Sequence, residues 1–219
     1  MTIDRSIDFQ EIRFKRKYEI LLLSFLILIF GDILFPSNFD ETPILIIQNV
    51  LASTLLFYEK KRWRLPLLML LVTLIILEVL NLLTSFSFIS VVFSLIYIIY
   101  FAILSIEVYS QILKAKEVSI SVIAAVLCGF IILSLIGAYA FILIEVFQSG
   151  SFRNLDAGNG GIGDLVYFSF ITVLSIGYGD ITPETSSAKN AVVFFGLLGH
   201  FYSVVVIGIV IGKYLSKSD

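Results

Sequence analysis

The most informative feature of the sequence is a pair of glycines, Gly177 and Gly179, within the stretch 175–180 (Ser-Ile-Gly-Tyr-Gly-Asp). In an ordinary strand, successive carbonyl groups point in alternating directions. Glycine adopts a positive φ at little steric cost, so the two glycines allow the chain between them to turn its carbonyls to one side. A row of peptide oxygens of this kind can replace the water around a cation. The stretch therefore predicts a main-chain site for dehydrated cations.

Residues 175–179 resemble the potassium-channel signature Thr-Val-Gly-Tyr-Gly, and Asp180, Thr182 and Pro183 follow as they do in that family. The resemblance covers roughly residues 118–215 and is to the six-transmembrane, one-pore potassium channel superfamily of bacterial type. It implies a K⁺-selective channel in which four stacked carbonyl rings coordinate the ion, supplied by Ser175, Ile176, Gly177 and Tyr178. Serine in place of the usual threonine keeps the hydroxyl but loses a methyl group that packs behind the loop. We therefore expect a less rigid site.

In this family the stacked carbonyl rings form the selectivity filter, here residues 175–179. The same resemblance implies a set of residues that support this filter, beginning with Gly179 and Asp180 at its outer edge. Tyr167 and Phe168 stand where related channels carry an aromatic cuff, and we predict that Tyr167 donates a hydrogen bond to Asp180. Packing against the preceding membrane span explains Phe168 better than Tyr167. Glu145 resembles a glutamate that buttresses the pore backbone in six-helix channels, and a solvated loop residue is the alternative.

Two adjacent residues of the last apolar segment are candidates for gating. The resemblance places the family's gating hinge at Gly199. A glycine inside a helix costs about 1 kcal/mol relative to alanine, which is a separate reason to look for a function there. The other glycines of this segment are interpreted as helix-packing positions: Gly196, Gly208 and Gly212. His200, the single histidine, is either a pH sensor facing the pore cavity or a neutral, hydrogen-bonded residue between helices.

The composition places the chain in a membrane. Of its 219 residues 58% are hydrophobic, and the mean hydropathy is +1.01, more than a soluble domain of this size needs. A net charge of -2 gives no reason to expect nucleic acid as a partner. No nucleophile–base pair, metal-ligand cluster or nucleotide-binding loop indicates an enzyme. The expected partners are membrane lipids and permeant K⁺, with no cofactor.

Six apolar segments are long enough, or nearly so, to cross a bilayer core of about 30 Å. They are 19–35, 43–58, 65–84, 88–113, 118–147 and 187–215. The run 164–174 is too short to cross and is predicted to be a re-entrant pore helix with Asp164 as its N-cap. The predicted fold is therefore an all-α membrane protein with six transmembrane helices, a pore helix and a tetrameric pore.

If the chain crosses the membrane six times, the basic residues at the ends of these segments all fall on one side of it. They lie at 13–17, 60–64, 114–116 and 213–217. The positive-inside rule then places both termini in the cytoplasm, and we expect a plasma-membrane location. We divide the chain into an N-terminal amphipathic or cytoplasmic segment (1–17), a four-helix sensor-like domain (18–117) and a pore domain (118–219). Residues 216–219 are too few for a C-terminal regulatory domain.

Segment 88–113 contains no arginine or lysine, so the charges that move in a voltage sensor are missing and weak voltage dependence is expected. One chain supplies one filter segment, and the family resemblance implies a homotetramer. Two other functions stay open: a poorly selective cation channel, because of Ser175, and a non-conducting membrane subunit or scaffold.

Overall fold

The computed structural model describes residues 16–34, 87–115, 117–156 and 161–215, with short pieces between 52 and 76. These residues are mostly helical. In chain order the elements are α1 (Lys17–Leu34), α2 (Ser87–Lys114), α3 (Ile120–Phe147), β1 (Phe152–Arg153), α4 (Ile162–Val173), β2 (Thr182–Pro183), α5 (Ser186–Phe201), a π-helical turn (Tyr202–Val206) and α6 (Ile207–Leu215).

Within the described residues, three helical stretches are long and apolar enough to cross a membrane: Val91–Lys114, Ile120–Phe147 and Ser186–Lys213. Their 24 to 28 residues correspond to about 36–42 Å of helix, more than the bilayer core requires. They coincide with the fourth, fifth and sixth predicted spans. Helix α4, with 12 residues, is about 18 Å long and cannot cross.

The first predicted span is a helix of 18 residues, α1, which carries three charged residues: Lys17, Glu19 and Asp32. The predicted spans 43–58 and 65–84 lie mostly outside the described residues, and so does the segment 1–15. The pieces described between 52 and 76 are helical. Leu56 and Phe57 among them are buried in a core shared with α1, α2 and α3.

Helices α2 and α3 run antiparallel and form the first hydrophobic core. Between the two helices, the rings of Tyr97 and Tyr139 stack at 4.8 Å with 5° between their planes. Helix α1 packs against α3, where the Cys128 thiol donates to the Tyr18 carbonyl over 3.6 Å. Cys128 is buried, which agrees with the packing role expected of an isolated cysteine in an apolar helix.

A second core lies toward the C-terminal end of α3 and joins it to β1, α4 and α5. Its centre is a group of aromatic side chains: Phe141, Phe152, Phe168 and Phe195. The Phe141 ring lies 5.5 Å from each of the other three ring centroids. Tilted and edge-on ring pairs at this separation are favourable beyond the area they bury. This aromatic cluster fixes where α4 sits against the longer helices.

A short antiparallel ribbon corrects the purely α-helical prediction. Strands β1 and β2 pair with Phe152 opposite Pro183 and Arg153 opposite Thr182. Each strand has two residues, too few to produce a readable alternation of polar and apolar side chains. The pairing brings together residues about thirty positions apart, so only the tertiary fold could reveal it.

Candidate functional site

Helix α4 leads directly into the 175–180 loop, and its start differs from the prediction. The helix covers Ile162–Val173, with Gly161 at the N-cap in the left-handed conformation (φ 68°). Asp164 is therefore not the N-cap; it lies inside the first turn, and its carboxylate accepts the Asp156 N–H over 2.6 Å. A carboxylate at this position is stabilised by the positive end of the helix dipole. Its role is to tie the preceding loop to α4.

Helix α4 packs closely against α3 because Gly137 leaves room for it. A Cβ built on Gly137 would lie 2.6 Å from the Ser169 hydroxyl oxygen. That hydroxyl donates to the Ser134 carbonyl over 2.6 Å inside the protein. Phe168, one residue before, is buried in the aromatic cluster. The structure thus gives Phe168 a packing environment, the alternative that the sequence favoured for it.

The main chain of the 175–180 loop alternates in handedness. Ser175, Gly177 and Gly179 have positive φ values of 58°, 58° and 80°. Left-handed residues at every second position reverse the orientation of alternate peptide units, which cancels the usual alternation of the carbonyls. The loop therefore has the backbone pattern needed for oxygens that face one side.

Two hydrogen bonds show the direction of those oxygens. The N–H groups of Ile176 and Gly177 both donate to the Ile171 carbonyl of α4, over 2.9 and 3.3 Å. In a trans peptide the C=O points opposite to the N–H of the same unit, and the described residues contain no cis peptide. The carbonyls of Ser175 and Ile176 therefore point away from α4, side by side.

Ser175 contributes to this geometry in a way that sequence reasoning missed. A glycine indicates by its residue type that a positive φ is accessible, whereas a serine with a positive φ is uncommon. Asn154 is the other described non-glycine residue with a positive φ. The sequence signal for Ser175 was available in principle, since it continues the spacing of Gly177 and Gly179 by two residues.

The side chains of the 175–180 loop are uncovered in a single chain. Tyr178 is 71% exposed and Ile176 is 47% exposed. Large apolar side chains at this level of exposure are typical of surfaces that meet another molecule. One chain presents one row of oxygens, so the loop by itself cannot surround an ion.

Tyr167 and Asp180 are in direct contact. The Tyr167 hydroxyl donates to Asp180 Oδ2 over 2.7 Å. This hydrogen bond lowers the pKa of Asp180 below its ordinary value of 3.8. The same bond, with partial desolvation and the charge of Asp180, raises the pKa of Tyr167 from 10.0 to about 12. Both shifts favour a neutral phenol donating to an ionised carboxylate.

Glu145 lies in the last turn of α3 and holds the chain that follows. Its Oε1 accepts the Gly150 N–H over 2.7 Å, and its Oε2 accepts the Phe152 N–H over 3.1 Å. Two main-chain donors on one carboxylate form charge-assisted hydrogen bonds. These contacts are with the loop leading to β1 rather than with the 175–180 loop itself.

Gly199 is buried where α5 passes beneath the end of α4. A Cβ added to Gly199 would clash with the carbonyl oxygen of Val173. A Cβ added to Gly196, Gly208 or Gly212 would meet no neighbouring atom within 4 Å in the same chain. Within one chain, Gly199 is therefore the closely packed glycine among these four, and helix packing at the other three stays a prediction. A hinge at Gly199 stays a prediction.

The helix that contains Gly199 loses its regular α geometry directly afterwards. The π turn Tyr202–Val206 separates α5 from α6, where the sequence predicted one continuous helix. The Tyr202 hydroxyl donates to the Val126 carbonyl of α3 over 2.5 Å, and a Cβ on Gly129 would approach that hydroxyl. His200 is exposed on this stretch in the single chain. Single π turns inside helices are frequent at functional sites.

Comparison with known proteins finds two partial matches. Residues 127–216 match the family model described as "Ion channel". The curated protein "Two pore potassium channel c" of Oryza sativa subsp. japonica is 37% identical over 62 residues, 28% of this chain and 14% of that protein. The chain thus spans only about a seventh of the length of this relative. No solved structure gives a significant match.

The matched region begins within α3 and ends at the last described residues. It contains α4, the 175–180 loop and the long last helix, the helical stretch Ser186–Lys213. Residues 127–216 are therefore similar to an ion channel domain, and the described residues around them are mostly helical, with three helices long and apolar enough to span a bilayer.

Proposed function

We propose that this protein is a K⁺-selective channel in which four copies of the chain place their 175–180 loops around one axis. The observation that carries the proposal is the alternation of left-handed residues at Ser175, Gly177 and Gly179, with neighbouring carbonyls directed away from α4. Carbonyl rings of this kind replace the hydration shell of K⁺, and ions move by displacing one another between adjacent rings.

A symmetric assembly gives the exposed apolar surface a partner. The long last helix presents a row of apolar side chains, each more than half exposed in the single chain: Val193, Phe194, Leu197, Phe201, Val204 and Val205. Lipid and neighbouring subunits are both suitable cover for such a surface. Only copies of the chain also complete the rings of oxygens, which is why we propose a homotetramer.

The basic ends of two helices meet on one side of the protein, which supports a common cytoplasmic face. Lys213 Nζ donates to the carbonyls of Ile112, Leu113 and Ala115, over 2.9, 3.0 and 2.8 Å. With the positive-inside rule, this contact supports cytoplasmic termini, and we propose a plasma-membrane location. Since 88–113 carries no basic residue, α2 offers no charge of the voltage-sensing kind, and we propose weak voltage dependence.

The test is ion flux through purified protein in K⁺-loaded liposomes, with Ba²⁺ as a blocker. We expect K⁺ efflux from wild type and its loss in Gly177→Ala, because alanine at a φ of 58° costs about 1–2 kcal/mol per position. Gly163→Ala is the matched control: both glycines have open space around them, but Gly163 has no positive φ. Absence of flux in wild type would favour a non-conducting subunit and overturn the proposal.

A poorly selective cation pore is the second candidate, and Ser175 favours it. The usual threonine would add a methyl behind the loop, and its loss removes packing that helps to hold the oxygens in place. Reversal potentials measured with K⁺ on one side and Na⁺ on the other separate the two functions. A permeability ratio near one would replace K⁺ selectivity with general cation conduction.

A further inference from the structure

Asn154 lies directly after strand β1, and its side chain reaches the end of the 175–180 loop. Its amide nitrogen Nδ2 donates to the main-chain carbonyl of Asp180 over 2.8 Å. Asp180 is thereby held at two separate atoms, since its carboxylate already accepts the Tyr167 hydroxyl. A single bond to the side chain leaves the following peptide free to rotate, whereas a second bond to the main chain fixes it.

The register of the ribbon explains why Asn154 is in reach. The ladder ends at the pair Arg153–Thr182, so the next step places Asn154 opposite Ile181 and beside Asp180. Asn154 has a φ of 65°, which turns the chain out of the strand at this point. Asparagine adopts this conformation more readily than most residues, and its short amide is a strong donor.

The other end of the ribbon is fixed to the long helices. Glu145 of α3 accepts the Phe152 N–H, and the Glu184 N–H donates to the Ser151 carbonyl over 2.8 Å, continuing the same register. The Thr185 hydroxyl next to it accepts the Ala188 N–H and caps α5. Asn154 therefore connects the 175–180 loop, through the ribbon, to the ends of α3 and α5.

We infer that Asn154 is a positioning residue of the conduction site, whose amide holds the Asp180 carbonyl and so keeps the outer end of the 175–180 loop in its conducting geometry. This inference rests on the proposed function, because it concerns the same loop. Without the bond, the peptide after Asp180 turns more freely and the last carbonyl rings lose their alignment. A K⁺ ion bound in the rings opposes that change, so high outer K⁺ protects the conducting state.

The decisive variant is Asn154→Gly. Glycine accepts the φ of 65° without strain, so it removes the amide while leaving the backbone conformation available. Asn154→Asp keeps the shape of the side chain but sets a carboxylate against the Asp180 carbonyl, and it should have a larger effect. The matched control is Arg153→Gln, which lies on the same ribbon and is ion-paired with Glu184 rather than with the loop.

Currents from wild type and the three variants are compared in planar bilayers. In Asn154→Gly we expect the K⁺ current to decline with time about five times faster than in wild type, in line with the net contribution of one hydrogen bond. This decline should slow as outer K⁺ is raised. The K⁺ to Na⁺ permeability ratio should fall, and Arg153→Gln should behave as wild type. Decay and selectivity in Asn154→Gly equal to those of wild type would overturn the inference while leaving the proposed function intact.

A second measurement does not depend on current. Hydrogen exchange of the full-length protein, read over residues 175–184, should rise in Asn154→Gly and stay unchanged in Arg153→Gln. If wild type carries no K⁺ current, the proposed function fails, and the exchange data still decide whether Asn154 holds the loop. Unchanged exchange in Asn154→Gly would show that the hydrogen bond does not constrain the loop and would end the proposal.

Discussion

The Tyr167 hydroxyl donates a hydrogen bond of 2.7 Å to the carboxylate of Asp180. The bond joins the middle of α4 to the residue that closes the 175–180 loop, thirteen positions later in the chain. A movement of the outer end of the loop must therefore break or bend this contact.

Replacing Tyr167 with phenylalanine removes the donor and keeps the ring. We expect Tyr167→Phe to speed the decay of K⁺ current severalfold, because the Asp180 carboxylate loses the partner that holds it against α4. Tyr167→Trp supplies an indole N–H in place of the hydroxyl, and it should restore much of the slow decay. Equal decay in wild type and Tyr167→Phe would show that the bond has no part in conduction.

The pKa shifts of this pair predict the pH range over which the bond is present. The lowered pKa of Asp180 means that its stabilising contribution is complete above the ordinary carboxyl value of 3.8 and is lost as pH falls through the lower folded value. The raised pKa of Tyr167 means that its contribution is complete below pH 10.0 and is lost as pH rises toward about 12. Between these limits the bond does not titrate.

Current recorded with outer pH varied from about 5 to 9 should therefore show no change in decay that depends on Tyr167. If conduction does change with inner pH, another group is responsible, and His200 is the candidate that the sequence offers. His200→Gln should then abolish the change while Tyr167→Phe preserves it. Identical inner-pH profiles in wild type and His200→Gln would remove the pH-sensor role.

Gly199 should be far less tolerant of a methyl group than Gly196. In Gly199→Ala the new Cβ meets the main-chain carbonyl of Val173, whereas the corresponding Cβ at Gly196 has open space within the chain. Overpacking of this kind costs about 1–3 kcal/mol, while alanine in an exposed helix interior gains up to about 1 kcal/mol over glycine. Thermal unfolding in detergent should show Gly199→Ala well below Gly196→Ala. Equal stabilities would contradict the close contact.

Lys213 should hold the last turn of the long helix against the end of α2. Its ammonium donates to three main-chain carbonyls, which lie at the negative end of the α2 dipole. Lys213→Met keeps the length of the side chain and removes the donors. Because hydrogen bonds to charged groups contribute about 1.5–3 kcal/mol each, exchange of amides over residues 110–118 should increase at least tenfold.

The control for this experiment is Lys189→Met, in the exposed first turn of α5. It removes the same charge at the other end of the helix and should leave exchange over 110–118 unchanged. If Lys213→Met also leaves that region unchanged, the ammonium is not what joins the two helices.

Much of the architecture could be predicted because it depends on local properties of the chain. The apolar segments 88–113, 118–147 and 187–215 correspond closely to helices, since a bilayer requires main-chain bonds to be satisfied within the segment. The 175–180 loop was identified from Gly177 and Gly179, whose type alone signals a left-handed backbone. Residues 43–58 and 65–84, predicted as spans, lie mostly outside the described residues.

Other features could not be predicted because they depend on which segments meet. Asp164 has the residue type and position of an N-cap, but the loop before it reaches its carboxylate and Gly161 takes the cap. The ribbon and Asn154 became apparent only when residues 152–154 and 180–183 were placed together. The π turn after Gly199 accompanies the hydrogen bond from Tyr202 to the main chain of α3.

The sequence alone therefore determined the membrane setting, the helical spans and the identity of the loop with alternating glycines, because hydropathy and φ preference are properties of each residue and its near neighbours. The sequence also predicted the hydrogen bond from Tyr167 to Asp180, which the structure contains. The tertiary structure alone decided the other contacts that hold that loop: the Asn154 amide from the ribbon and the Ile171 carbonyl of α4. Hydrogen bonds between distant segments need specific atoms within about 3 Å of one another, and only the packing of the helices sets those distances.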